Sequence, residues 1–488
     1  MEAAVQTTLQ KEGQSYKVMP IMISLLISGF IGMFSETALN IALSQLMEIL
    51  QITPATAQWL TTGFLLTLGI LVPVSGLLLQ WFTTRQLFVA SLSFSIAGTL
   101  VAALAGSFEV LLIARVLQAV GTALLLPLMF NTILVIFPPE KRGAAMGVIG
   151  LVIMFAPAVG PTAAGLIIEH LTWNWIFWIS LPFLVIGLLF GIVYLQNVST
   201  VTRPKIDILS IILSSIGFGG IVFGFSKAGE EGWTNPVVLI TIGLGIAALA
   251  LFSVRQLQMK QPMMDLRVFK YPMFVIGTLM VLVCMMIILS TVLILPLYMQ
   301  KGMGLSAFTA GLVLLPGGIL NGLMSPLMGS LFDKYGPKWL VIPGLIIAAV
   351  CLWFFTGMTT TSAIALIIVL HSCLFIGISM VFMPAQTNGL NQLPPSMYPD
   401  GTAIMNTLQQ VAGAIGTAVA VSVLSHGISG YLKTSANPQD PMELVKGMTV
   451  GAQNSFVFGL IIAVLGLILA FFIRRVHVEK QSMKGPTH

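Results

Sequence analysis

Charge is what this sequence has least of. Asp, Glu, Lys and Arg make up only 8% of its 488 residues, against roughly a quarter in soluble domains, and that shortage excludes a water-facing surface over most of the chain. Cysteine is nearly absent as well. Cys284, Cys351 and Cys373 stand inside apolar runs, at separations that suit neither a disulfide framework nor a metal site, and read as small packing residues. His170, His371, His426, His477 and His488 show no H-x-x-x-H spacing, so no metal is expected. No G-x-x-x-x-G-K-S/T loop occurs, which argues against ATP as an energy source. Nor is there the cluster of nucleophile, base and metal ligands that an enzyme would need.

Long apolar runs are what the chain has instead. Fourteen can be placed, at 19–43, 56–80, 86–106, 110–136, 144–168, 175–196, 207–227, 236–255, 272–298, 306–331, 339–357, 363–387, 401–426 and 451–473, each long enough for the ~20 residues of a membrane helix. The expected fold is an all-α polytopic membrane protein. The first run is too long for a signal-peptide core, and its flank carries acids as well as lysines, so it reads as a retained span. With the N-terminus in the cytoplasm, 17 Lys and Arg fall on that side, four (Lys227, Lys301, Lys433 and Lys446) on the other, and Arg115 inside a span. This bias follows the positive-inside rule and places both termini in the cytoplasm. The basic residues are scattered over separate short loops, so the net charge of +6 is a topology signal and no nucleic-acid partner is expected.

An internal repeat organises the spans. GLLLQWFTTRQL (Gly76 to Leu87) aligns without gaps on GSLFDKYGPKWL (Gly329 to Leu340), which makes span 2 equivalent to span 10 if two six-helix halves are separated by two extra spans. The expected division is a cytoplasmic tail 1–18, a six-helix bundle 19–196, two linker spans with their loops 197–271, a second bundle 272–473 and a tail 474–488. Repeated bundles with a site between them are the usual plan of secondary transporters.

Two charges sit deep in the apolar runs. Glu36 follows Met19 to Met33, a stretch without charge, and an ionisable group at such depth costs roughly 2.5–3.5 kcal/mol on insertion scales. Counting 1.5 Å per residue, Glu36 and Arg115 fall at similar depth in the outer half of the bilayer. An arginine keeps its charge and a carboxylate can lose it, so the pair forms a site switched through Glu36 alone. A structural ion pair tethering spans 1 and 4 is the alternative. Asn40 lies one turn after Glu36, and Gln118 and Thr122 continue the face of Arg115, a polar stripe suited to an aqueous cavity. Asn131, Asn321, His371 and Gln409 are further candidates for the cavity wall, with Gln58, Gln386, Asn388, Asn406 and Gln410. Each of these taken alone is also readable as an interhelical hydrogen bond.

GSLFDKYGPK fits the loop motif of the major facilitator superfamily, Gly-x-Leu-x-Asp-Lys/Arg-x-Gly-x-Lys/Arg, at every defined position. LLIARVLQAVGTA resembles that superfamily's fourth-span motif, GVIGLVIMFAPAVGPTAAG its antiporter motif in the fifth span, and SETALNIAL the first-span motif of the fourteen-span drug:proton antiporters. The chain therefore resembles that family along essentially its whole length, and within it the lincomycin-type multidrug exporters. The resemblance implies two six-helix bundles plus two extra spans in a bacterial cytoplasmic membrane, working as a monomer among membrane lipids. It implies exchange of protons for a small lipophilic substrate, driven by the proton gradient with no bound cofactor. Export of an endogenous lipid or metabolite is the alternative. It assigns proton coupling to Glu36 and Arg115, and conformational gating to Asp333, Lys334, Gly336 and Lys338 and to Gly147, Gly160, Pro161 and Gly165. The first copy of the loop motif departs from the pattern, with Gln80 in the place of Asp and Trp81 in the place of a basic residue.

Overall fold

A computed structural model describes residues 18–52, 54–198, 201–203, 206–435 and 437–476. The tails 1–17 and 477–488, and the side chains of Glu36, Asn40, Gln58 and Pro161, lie outside the described residues. Fourteen long helices follow one another: α1 Val18–Ile49, α2 Pro54–Trp81, α3 Thr84–Ala103, α4 Phe108–Ile136, α5 Arg142–His170, α6 Trp175–Tyr194, α7 Ile208–Glu231, α8 Pro236–Gln258, α9 Pro272–Leu297, α10 Ala307–Tyr335, α11 Lys338–Thr356, α12 Ile364–Asn391, α13 Tyr398–Thr434 and α14 Pro441–Ala470. All fourteen are long and apolar enough to cross a membrane, where only helices and closed barrels can satisfy every backbone group. The protein is a multi-pass membrane protein.

Local signals set many of the ends. Thr83 and Gln86 form a reciprocal capping box at the start of α3, and Ser107, Asn235, Ser306 and Asp440 cap α4, α8, α10 and α14. Gly336 closes α10 at φ +79°, a conformation that glycine adopts at little cost. Three helices outrun their apolar cores. α1 continues to Ile49, α13 to Thr434, and α14 begins at Pro441, because polar turns continue a helix when partners hold them. Tyr431 and Ser435 both donate to the Glu443 carboxylate, at 3.0 and 2.9 Å, which ties the projecting ends of α13 and α14 together.

Helices α1–α6 pack among themselves, α9–α14 likewise, and α7–α8 form a hairpin whose α7 lies against α2 and α13. The base of the hairpin is held by charge. Arg255 donates to Asp207 through Nε (2.6 Å) and Nη2 (2.9 Å), a bidentate fork. The Arg255 guanidinium holds the Asp207 carboxyl down at about 2. A depressed pKa stabilises the fold in full above the unfolded value of about 4 and is lost as pH falls toward 2. The difference in thermal unfolding between wild type and Asp207→Asn is thus expected to stay constant from pH 5 to 8 and to shrink below pH 4.

With fourteen spans, the start of α1 and the end of α14 share one face, called here the basic face after the residues in its loops.

Candidate functional site

Arg115 is fully buried in the first bundle. Its Nε donates to the Leu60 carbonyl on α2 at 3.3 Å, and Nη1 donates to the Ser35 carbonyl on α1 at 3.1 Å and to Gln118 Oε1 at 3.0 Å. The guanidinium lies over the Phe64 ring, 4.3 Å from its centroid, a cation–π contact strengthened by desolvation. Gln118 passes the chain of bonds on through Nε2 to Thr99 Oγ1 at 3.1 Å, and Thr122 Oγ1 donates to the Gln118 carbonyl at 3.2 Å. The amide group of Gln118 thus bonds protein partners on both sides. The carbonyl that Arg115 meets on α1 belongs to the peptide whose nitrogen is that of Glu36, so the guanidinium reaches α1 at the level of that residue.

The two bundles are clamped at the basic face by α5 and α10, the most extensive helix pair in the molecule. Asp333 at the end of α10 accepts the N–H of Gly143 on Oδ1 and of Ala144 on Oδ2, both at 2.9 Å. A carboxylate on the first turn of a helix meets unpaired donors and the positive end of the dipole. Above it the helices touch backbone to backbone. A Cβ on Gly329 would come within 2.0 Å of the Gly143 carbonyl oxygen, and one on Gly147 within 2.5 Å of that of Ser325. Only glycine allows this approach. Further along, Gly150 faces Ser325 and Gly322 faces Phe155, a contact spanning roughly 18 Å from Gly143 at 1.5 Å per residue. The other glycines of the α5 motif behave differently. Gly160 faces Thr37 of α1 within the first bundle, and a Cβ on Gly165 would meet nothing within 4 Å.

Arg475, just past α14, donates to the Lys334 carbonyl at 3.1 Å and to the Asp333 carbonyl, so a cation covers the C-terminus of α10. Its side chain packs over Gly336. Lys334 lies in the last turn of α10 and Lys338 opens α11.

In the second bundle the His371 ring packs where Gly317 leaves room on α10, one turn before Asn321, with Phe375 4.5 Å away. His371 Nδ1, both amide atoms of Asn321, Asn131 Oδ1, Gln409 Nε2 and both amide atoms of Gln386 are buried without a hydrogen-bond partner among the described residues. Asn388 belongs elsewhere: it receives Val476 N and donates to the Arg474 carbonyl, fastening the segment after α14.

Two groups that bridge the bundles were not singled out from the sequence. Buried Arg142 donates to Asn391 Oδ1 (3.0 Å) and Tyr398 OH (2.9 Å) in the second half, and to the Leu134 carbonyl in its own. As one of many loop cations it gave no signal. Asp400, buried in the first turn of α13, accepts the Asp265 N–H at 3.1 Å, and Gln80 Nε2 lies 3.5 Å from its Oδ1. The repeat pairs Gln80 with Asp333, and α13 with α5. The acid missing from the first loop copy thus has a counterpart on the facing helix, with the polarity reversed. Gln80→Asp alone would oppose two carboxylates in a buried contact, at a cost on the order of 2 kcal/mol. A lower thermal unfolding midpoint is expected, restored when Asp400→Asn is added. A double variant no better than the single one would contradict this pairing.

Among the described residues no group of His, Cys, Asp and Glu could hold a metal ion, and all three cysteines are free.

The Major Facilitator Superfamily model matches residues 25–417. The chain is 69% identical over 474 residues to the lincomycin resistance protein LmrB of Bacillus subtilis (strain 168), covering 97% of this chain and 99% of that protein. It is 66% identical over 463 residues to the protein of the same name from Listeria monocytogenes serovar 1/2a, covering 95% and 98%. Among solved structures, the proton:xylose symporter XylE superposes with a TM-score of 0.65 at 14% identity, over 94% of this chain and 96% of that one.

Proposed function

The chain belongs to the major facilitator superfamily, and from that premise we propose that it exports lipophilic drugs or antibiotics in exchange for protons, with Glu36 as the exchanging carboxylate. The names of the close relatives support drug export, and the solved neighbours support the fold alone. The basic face is the cytoplasmic one, both termini lie there, and the membrane is the bacterial cytoplasmic membrane. The observation that carries the coupling is Arg115, a charge that cannot be shed, fully buried with its guanidinium on α1 beside the Glu36 peptide. Next to such a group a carboxylate is the partner that can change its charge.

In the state described, the α5–α10 clamp shuts the cytoplasmic side. A proton arriving from outside neutralises Glu36 and displaces cargo; its release inside restores the anion for the next molecule. Such a cycle requires proton and cargo to differ in affinity between the two facing states. The proton gradient is the energy source, without a bound cofactor, and a single chain suffices. Cargo is neutral or monocationic. The second bundle offers Asn321, His371 and Gln409 with spare hydrogen-bonding capacity, and α10 carries no acid before Asp333.

Uptake into inverted vesicles driven by a pH gradient tests the assignment. Glu36→Gln is expected to abolish driven uptake of a lipophilic antibiotic while the protein stays folded in the membrane. Wild-type coupling in that variant would remove Glu36 from the role.

A further inference from the structure

A groove of about 750 Å³ runs along α13 and α14 beside the turn that joins α7 to α8. Its size is that of a pocket for a sizeable small molecule. Trp233, in the turn between α7 and α8, closes one side. The indole Nε1 donates to Ser422 Oγ at 2.5 Å and the ring meets Phe225 edge-on. The groove is polar at one end and apolar at the other. His426 and Asn454 stand at the same level, since the Asn454 amide lies beside Gly427. Val419 and Ile461 are each seven residues away toward the middle of the membrane, roughly 10 Å deeper. Tyr431 stands at the mouth, the position such an amphipathic ring takes at a membrane surface, while the Trp233 indole meets α13 at Ser422, one turn below His426.

Asn454 is exposed and makes no hydrogen bond among the described residues. Val457 and Ile461, one and two turns further along α14, are themselves 40% and 53% exposed. An amide turned to hydrocarbon without a partner costs a few kcal/mol. His426 donates through Nδ1 to the Ser422 carbonyl, which leaves Nε2 available. Polar groups near the membrane surface above an apolar slot match one kind of molecule: a chain-bearing lipid standing in its leaflet.

We infer that this groove holds one membrane phospholipid in the leaflet opposite the basic face, with an acyl chain along Val419, Phe458 and Ile461 and its ester oxygens at Asn454. The lipid fills the wedge between the α7–α8 hairpin and the second bundle. It braces a hairpin that also meets that bundle through α7 against α13.

The test uses the full chain, purified from membranes in mild detergent. Native mass spectrometry is expected to show one phospholipid that survives washing with a delipidating detergent. Gly430 lines the groove at its mouth and a Cβ there meets nothing within 4 Å, so Gly430→Leu narrows the entrance without disturbing the helices and is expected to eliminate the retained lipid. Asn454→Leu is expected to weaken retention about five-fold, the loss of one hydrogen bond of about 1 kcal/mol. Reconstitution with phosphatidylglycerol brominated in the acyl chain locates the site. The quenching that disappears in Trp233→Phe must also disappear in Gly430→Leu. No retained lipid, a retained mass matching no phospholipid, or equal retention in Gly430→Leu would each overturn the inference.

Discussion

Asp333→Ala is expected to lower drug export at least ten-fold and to leave the basic face ajar. The carboxylate receives two backbone N–H groups at 2.9 Å from the other bundle, and hydrogen bonds to a charged group contribute about 1.5–3 kcal/mol each. These contacts exist only while α5 and α10 are clamped, so their loss falls on one state of the cycle and not on the fold. A bias of about 1.4 kcal/mol already shifts the two populations ten-fold. The direct measurement is labelling of a cysteine placed at Ser325, within the clamp, by an impermeant thiol reagent added from the basic face. Faster labelling than in the parent chain, with an unchanged melting temperature, is the expected result. Wild-type labelling together with wild-type export would show that the contact is incidental.

Arg115→Lys is the second large effect, an expected fall of about a hundred-fold in gradient-driven export. The guanidinium bonds Leu60, Ser35 and Gln118 at once, with its carbon over the Phe64 ring. A lysine ammonium is a compact point charge without the planar fork, and it cannot reproduce that set. Losing two such bonds in a dry site costs about 2–3 kcal/mol. Counterflow, which exchanges labelled for unlabelled cargo with no gradient, separates coupling from mere support. If Arg115 sets the charge of Glu36, counterflow survives while driven uptake disappears. A purely structural Arg115 loses both.

Much of this molecule could be read before any fold was known. The spans were legible because hydrocarbon tolerates almost nothing else, and so was the unusual position of Glu36 and Arg115, since charge inside an apolar run is rare enough to be noticed. Asp333 could be singled out through its loop motif, though not the backbone N–H groups it meets. Arg142 and Asp400 were not, because a charged residue near the end of a span looks like an ordinary solvated group. What buries them is the meeting of two halves more than 200 residues apart.

The sequence by itself determined the number of helices, the bias of basic residues to one face and the presence of charge within the bundle, since each follows from the energy of placing a residue in lipid, paid one position at a time. Only the tertiary structure decided that Gly143, Gly147 and Gly150 face the opposing bundle while Gly160 and Gly165 do not. In a helix that is apolar all round, the side meeting protein and the side meeting lipid have the same composition, and only the packed neighbour tells them apart.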